Sequence, residues 1–142
     1  MAGALSLLSL RPGWAATSLD DVEAKARAIA NAIQPPRIPH RRFPIAAFGA
    51  VSDGRTDDSG AIARAIAACA AAGGGRIIVP RGVTLTGPIR LESRMELHVA
   101  KGARLTFIPD PARYLPPVHT RWEGVELMGY QPLIHAFEAE DI

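Results

Sequence analysis

The chain has 142 residues, 48% of them hydrophobic and 21% charged, and a formal charge of +2 from 16 Lys and Arg against 14 Asp and Glu. That size and apolar content suit one folded domain with a real core and exclude a disordered tail. The single cysteine, Cys69, excludes an intrachain disulfide and any Cys-rich metal module.

Residues 1–17 carry an apolar run from Ala2 to Leu10 and small residues from Gly13 to Ala16 that could be a cleavage site, without the Lys or Arg that should precede such a run. The segment reads either as a truncated signal segment or as a frayed tail, and it is far short of the roughly 20 apolar residues that span a bilayer. Ser18 can cap a helix with Asp20, Asp21 and Glu23 in its first turn and Val22, Ala26, Ile29, Ala30 and Ile33 at helical spacing. Pro35 and Pro36 end it, and the prolines to Pro44 predict an extended linker. The basic cluster Arg37, Arg41 and Arg42 could meet an acidic polymer, but a solvated linker accounts for it more simply. The expected division is therefore 1–17, a possible truncated signal segment; 18–42, helix and proline-rich linker; and 43–142, the main domain.

The stretch FGAVSDGRTDDSGAIARAIAAC, Phe48 to Cys69, brings Asp53, Asp57 and Asp58 close together. A calcium loop would need alternating ligands and a distal Glu, which do not follow. Capping explains the carboxylates better: Thr56 or Asp57 at the N-cap, Asp58 in the first turn, and Asp53 bonding its own following backbone in a turn. Ile62, Ala65, Ile66 and Cys69 then fall at i, i+3, i+4 and i+7 on one apolar face. Gly73-Gly74-Gly75 stops that helix; it lacks the Lys and the following helix of a phosphate-binding loop.

From Gly75 onward short aliphatic runs are punctuated by Gly and Pro, the pattern of strands. VPRGVTLT (Val79–Thr86) aligns without a gap on VAKGARLT (Val99–Thr106). A period of about twenty built from short strands fits one turn of a strand solenoid, with Gly82 and Gly102 at equivalent corners. Two similar β-hairpins are the alternative. A solenoid must have its ends covered, and the helix over Asp58–Ala72 is the candidate for the first. His40, His98, His119 and His135 are too scattered to suggest a metal cluster, and His98 should be exposed on its strand.

Between Asp110 and Tyr130 the period is interrupted by a loop bearing Tyr114, His119, Arg121, Trp122, Glu123 and Tyr130. Arg121, Trp122 and Glu123 are candidate substrate-binding residues: a guanidinium pairs with a carboxylate and an indole stacks on a sugar ring. An Arg–Glu pair with a Trp anchoring the loop to the wall explains the same residues structurally.

FPIAAFGAVSDGRTDDSGAIARAIAACAAAGGGRIIVPRG resembles the opening block of the pectate-lyase-like right-handed parallel β-helix superfamily. GPIRLESRMELHVAKGARLTFIPDPARYLPPVHTRWEGVELMGYQPLIHAF is similar to the N-terminal portion of bacterial polygalacturonases of glycoside hydrolase family 28. The fold expected from periodicity and resemblance together is mainly β: a right-handed parallel β-helix (solenoid) represented by its N-terminal capping helix and first coils, preceded by a short helix. The resemblance implies a secreted or periplasmic inverting hydrolase of α-1,4-linked galacturonate, with an acidic polysaccharide (pectin or polygalacturonate) as partner. It implies no metal, no cofactor, and neither nucleic acid nor membrane as partner. Inversion needs an acid and a base roughly 6.5–9.5 Å apart. The family carries them in an Asn-Thr-Asp motif, an Asp-Asp pair, a Gly-His-Gly motif and an Arg-Ile-Lys motif on later coils, and none occurs here in context. Asp20-Asp21 and Asp57-Asp58 match the pair as letters only, so no catalytic residue is assigned, and the chain is expected to be an inactive N-terminal fragment. A non-catalytic β-helix glycan-binding or tailspike-like module is the competing reading, and a gene remnant a third.

Overall fold

The computed structural model describes residues 18–142, so the signal-like segment lies outside the described residues. The chain divides into two compact units, one ending at Gln34 and the other spanning Pro35–Ile142. In the first, helix α1 (Leu19–Ala32) starts where Ser18 predicts. The Ser18 hydroxyl accepts from the Asp21 amide at 3.1 Å while Asp21 accepts from the Ser18 amide at 3.2 Å, a reciprocal capping box.

The second unit is mainly β. In order it contains β1 (Arg42–Pro44), a 3-10 turn (Ile45–Phe48), β2 (Asp53–Asp57), α2 (Ser59–Ala71), β3 (Gly75–Val79), β4 (Gly82–Thr86), β5 (Ile89–Leu91), β6 (Met95–Val99) and β7 (Ala103–Phe107). A second 3-10 turn (Pro111–Tyr114), β8 (Val118–Trp122), β9 (Val125–Gly129) and β10 (Ile134–Ala136) follow. The proline-rich stretch expected as a linker is seated in this unit: the Arg37 amide donates to Asp141 at 3.0 Å and the Arg41 carbonyl accepts from the Arg76 amide at 2.8 Å.

Two three-stranded sheets, β1-β3-β6 and β2-β4-β7, and the pair β5-β10 are all parallel, so the chain visits three sheets in turn and then returns to each. Alternate side chains point inward: Ile77 and Val79 of β3, Ile89 and Leu91 of β5 and Met95 of β6 are buried with Ile45. Helix α2 closes this core by laying Ile62, Ala65, Ile66 and Cys69 on it, the face its spacing predicts.

The helix ends as the glycines demand. Gly74 N donates to Cys69 O at 2.9 Å and Gly73 N to Ala70 O at 2.8 Å, a Schellman pair. Gly74 has φ +108°, and a Cβ there would stand 2.4 Å from the Arg94 carbonyl. The guanidinium of Arg41 donates to Ala72 O at the same helix end, so one of the three basic residues read as solvated has a structural partner.

The repeat is real in β3 and β6, where Gly75 pairs with Met95 and Val79 with Val99. It slips by one in the next sheet: Gly82 pairs with Ala103, not Gly102, and Leu85 with Thr106, not Leu105. The turn before β4 is Pro80-Arg81, whereas that before β7 is Ala100-Lys101-Gly102. Gly82 and Gly102 are therefore not equivalent corners: Gly82 opens a strand and approaches the Ser52 carbonyl, while Gly102 is the added turn residue. Because strand side chains alternate with period two, the slip sets Thr84 and Thr86 opposite Leu105 and Phe107. Both threonines are buried, and their hydroxyls are satisfied by the Ser52 hydroxyl at 2.8 Å and the Gly87 carbonyl at 3.1 Å.

The interruption between β7 and β10 is not an irregular loop throughout. Residues 118–129 form an antiparallel hairpin, β8-β9, with Glu123 (φ +47°) and Gly124 at its turn.

Candidate functional site

The three aspartates stand in separate roles. Asp53 accepts from the amides of Arg55 and Thr56, each at 2.8 Å; the Thr56 amide first and the Arg55 amide second hold its carboxyl below the ordinary aspartate range. Asp57 accepts from the Ser59 amide at 2.9 Å and is ion-paired with Arg113. Asp58, rather than Thr56 or Asp57, is the N-cap residue of α2, but its side chain makes no cap bond. It is 1% exposed and accepts from the Val51 and Ser52 amides at 2.8 and 2.9 Å, tying down the preceding loop. These two backbone amides, rather than the helix end, hold the carboxylate, and the chain turns beside them through Ser52 at φ +55°. Among the described residues no group of His, Cys, Asp and Glu is placed to hold a metal ion. Cys69 is fully buried, and burial pushes its thiol up despite the opposing charge of Arg41.

A cleft of about 410 Å³ lies where β5, β10 and the hairpin meet. In β5, Ile89 and Leu91 point into the core, so alternation turns Arg90 outward. In the register of β5 and β10, His135 is the direct partner of Arg90. The hairpin supplies His119, Thr120 and Met128, and Phe137 adds an aromatic edge. His119 stands edge-on to Phe137, with ring centroids 6.3 Å apart and planes at 76°, and its Nε2 lies 3.5 Å from Glu126. Nδ1 of His135 is shut away from solvent with no hydrogen-bond partner.

Arg121, Trp122 and Glu123 lie at the end of β8 and in the turn, and do not line this cleft. Arg121 sits opposite Glu126, Trp122 is opposite Val125 and 69% exposed, and Glu123 takes the turn. Sequence reasoning did not single out Arg90 or identify a site at His135. The available signal was a lone cation between two aliphatic residues in a three-residue strand, IRL. Its pairing partner lies 45 positions away, beyond a hairpin of unmarked length.

No family model matches the chain. An exo-poly-α-D-galacturonosidase from Dickeya chrysanthemi is 43% identical over 94 residues, which is 66% of this chain and 15% of that protein. The crystal structure of a hyperthermoactive exopolygalacturonase from Thermotoga maritima matches 84% of this chain and 26% of its own, at 50% identity and a TM-score of 0.79. A family 28 exopolygalacturonase from Yersinia enterocolitica matches 71% of this chain and 17% of its own, at 29% identity and a TM-score of 0.58. The chain thus spans about a quarter or less of these proteins, and over that span its resemblance to the exopolygalacturonases of family 28 holds in sequence and in fold.

Proposed function

We propose that this chain forms the N-terminal part of a pectin-degrading glycoside hydrolase, which hydrolyses α-1,4-galacturonosidic bonds with inversion on a right-handed parallel β-helix. The observation that carries the reading is the 50% identity to the Thermotoga maritima exopolygalacturonase across 84% of the chain. The in-register parallel stacking of β3 on β6, β4 on β7 and β5 on β10 supports the solenoid, with α2 as its cap. The substrate is an acidic polysaccharide too large to cross a membrane freely, so we place the enzyme in the periplasm or outside the cell.

The chain's own share is architectural and substrate-contacting. Inversion needs a protonated acid and a separate base, and Asp53, Asp57 and Asp58 are each engaged by backbone amides. The purified 142-residue chain is therefore expected to release no reducing sugar from polygalacturonate above a blank. The positive test is a chimera in which this chain replaces the matching N-terminal segment of the Thermotoga maritima exopolygalacturonase. Retained hydrolysis of polygalacturonate supports the reading. A chimera that folds and binds the polymer without cleaving it favours the glycan-binding module instead.

A further inference from the structure

We propose that the cleft between β5, β10 and the hairpin is a uronate subsite, in which Arg90 takes the sugar carboxylate and His135 and His119 bond its remaining oxygens. The inference rests on the acidic-polysaccharide reading above and assigns it to a site.

Arg90 and His135 are direct partners on neighbouring parallel strands, about 4.8 Å apart. The two side chains make no hydrogen bond to each other, and a carboxylate between them could accept from the Arg90 guanidinium and from a protonated ring nitrogen of His135. Among the described residues none is supplied. Arg90 makes no ion pair among the described residues; Glu92 and Glu138 border the adjacent cavity beyond it, but neither comes within 4.0 Å of its guanidinium. Glu126 is turned to His119 and does not line the cleft. The titratable side chains of the cleft wall are Arg90, His119 and His135, so the wall offers donors and no acid.

His135 adds a second, independent pointer. With Nδ1 sealed and unpartnered, Nε2 is the ring nitrogen left for a ligand. An arginine fork matches a planar carboxylate with two parallel hydrogen bonds, a geometry a hydroxyl cannot reproduce. Phe137, 52% exposed, gives a flat apolar edge for the C–H face of a pyranose ring. The volume of about 410 Å³ falls within the roughly 300–1,000 Å³ of small-ligand pockets.

The test is titration of the 142-residue chain with trigalacturonate and with uncharged α-1,4-galactotriose, followed by calorimetry and amide chemical shifts. Trigalacturonate should bind at least about tenfold more tightly and perturb the amides around Arg90 and His135. Arg90→Gln should abolish that preference, Arg90→Lys should restore part of it, and His135→Gln should weaken binding by several-fold. Arg90 is exposed on its strand, so its variants should keep the wild-type spectrum elsewhere. Failure to bind trigalacturonate at millimolar concentration overturns the proposal, as does equal affinity for the neutral trisaccharide. So does binding lost through Arg121→Gln or Trp122→Ala and untouched by Arg90→Gln. Hydrolysis by the chimera is read separately, so the parent activity can stand when the subsite fails.

Discussion

Asp58 shows how a buried carboxylate can be structural. It holds two backbone amides at 2.8 and 2.9 Å inside a loop with little access to water. Hydrogen bonds to a charged group contribute about 1.5–3 kcal/mol each, and the donors stay behind when the acceptor is removed. Asp58→Ala should therefore lower unfolding free energy by about 2–4 kcal/mol in urea, with Asp58→Asn losing less; a change under about 0.5 kcal/mol would refute this role. Asp53 is the pH-sensitive counterpart. Its folded pKa is depressed by the Thr56 and Arg55 amides, so its stabilising contribution is present above the unfolded pKa and is lost as pH falls through the folded value. Titration of its carboxyl by NMR should give a lower pKa in the native chain than in urea, and Asp53→Asn should flatten the acid limb of the stability curve. The capping region was legible in the sequence, but the assignment within it was not. Thr56, Asp57 and Asp58 stand side by side at the helix start, and the local spacing does not show that the Val51 and Ser52 amides draw Asp58 inward.

At the scale of elements, α2 was the most readable feature, because its apolar spacing and triple glycine state both its buried face and its end. Gly74→Ala should cost about 2–4 kcal/mol, since it combines left-handed backbone strain with a Cβ 2.4 Å from a carbonyl oxygen. Gly124→Ala is the matched control: its φ is +87°, but nothing lies within 4 Å of the added Cβ, so only the strain of about 1–2 kcal/mol should appear. Equal thermal shifts for the two would contradict the steric account. The repeat was readable to within one residue. Identical letters at Leu85 and Leu105 suggested equivalent places, but the three-residue turn before β7 gives the pairs Thr84–Leu105 and Leu85–Thr106. A one-residue insertion in a turn costs little and leaves the letters aligned, so letter matching alone could not detect it. The sequence marks the hairpin as a loop because VHTRW mixes charge with aromatics and lacks the alternation of a half-buried strand, and it does not mark Arg90, whose pairing lies across that hairpin.

Over the whole unit, burial fades along the stack of strands. Val79 and Ile89 are buried, whereas the residues stacked on them, Val99 and Ile134, are 42% and 44% exposed, and Leu133, Phe137 and Ile142 are exposed as well. The chain alone should bind an apolar dye and self-associate as concentration rises, measured by fluorescence and sedimentation velocity; a dye-silent monomer at all concentrations would count against this. The mainly β class and the polygalacturonase resemblance were available from the sequence because the first strands, cap and glycines are local signals. The cleft was not, because it is assembled by a contact between distant segments. That distance also sets an order of events. β6 can dock on β3 across 20 residues, but β10 must find β5 across 45, and each doubling of a closed loop costs about 0.6 kcal/mol of chain entropy. The β8-β9 hairpin lies inside that span and can form on its own in microseconds. Folding should therefore run from the capped end outward, with the β5-β10 pair closing last and its amides among the first in the sheets to exchange with deuterium.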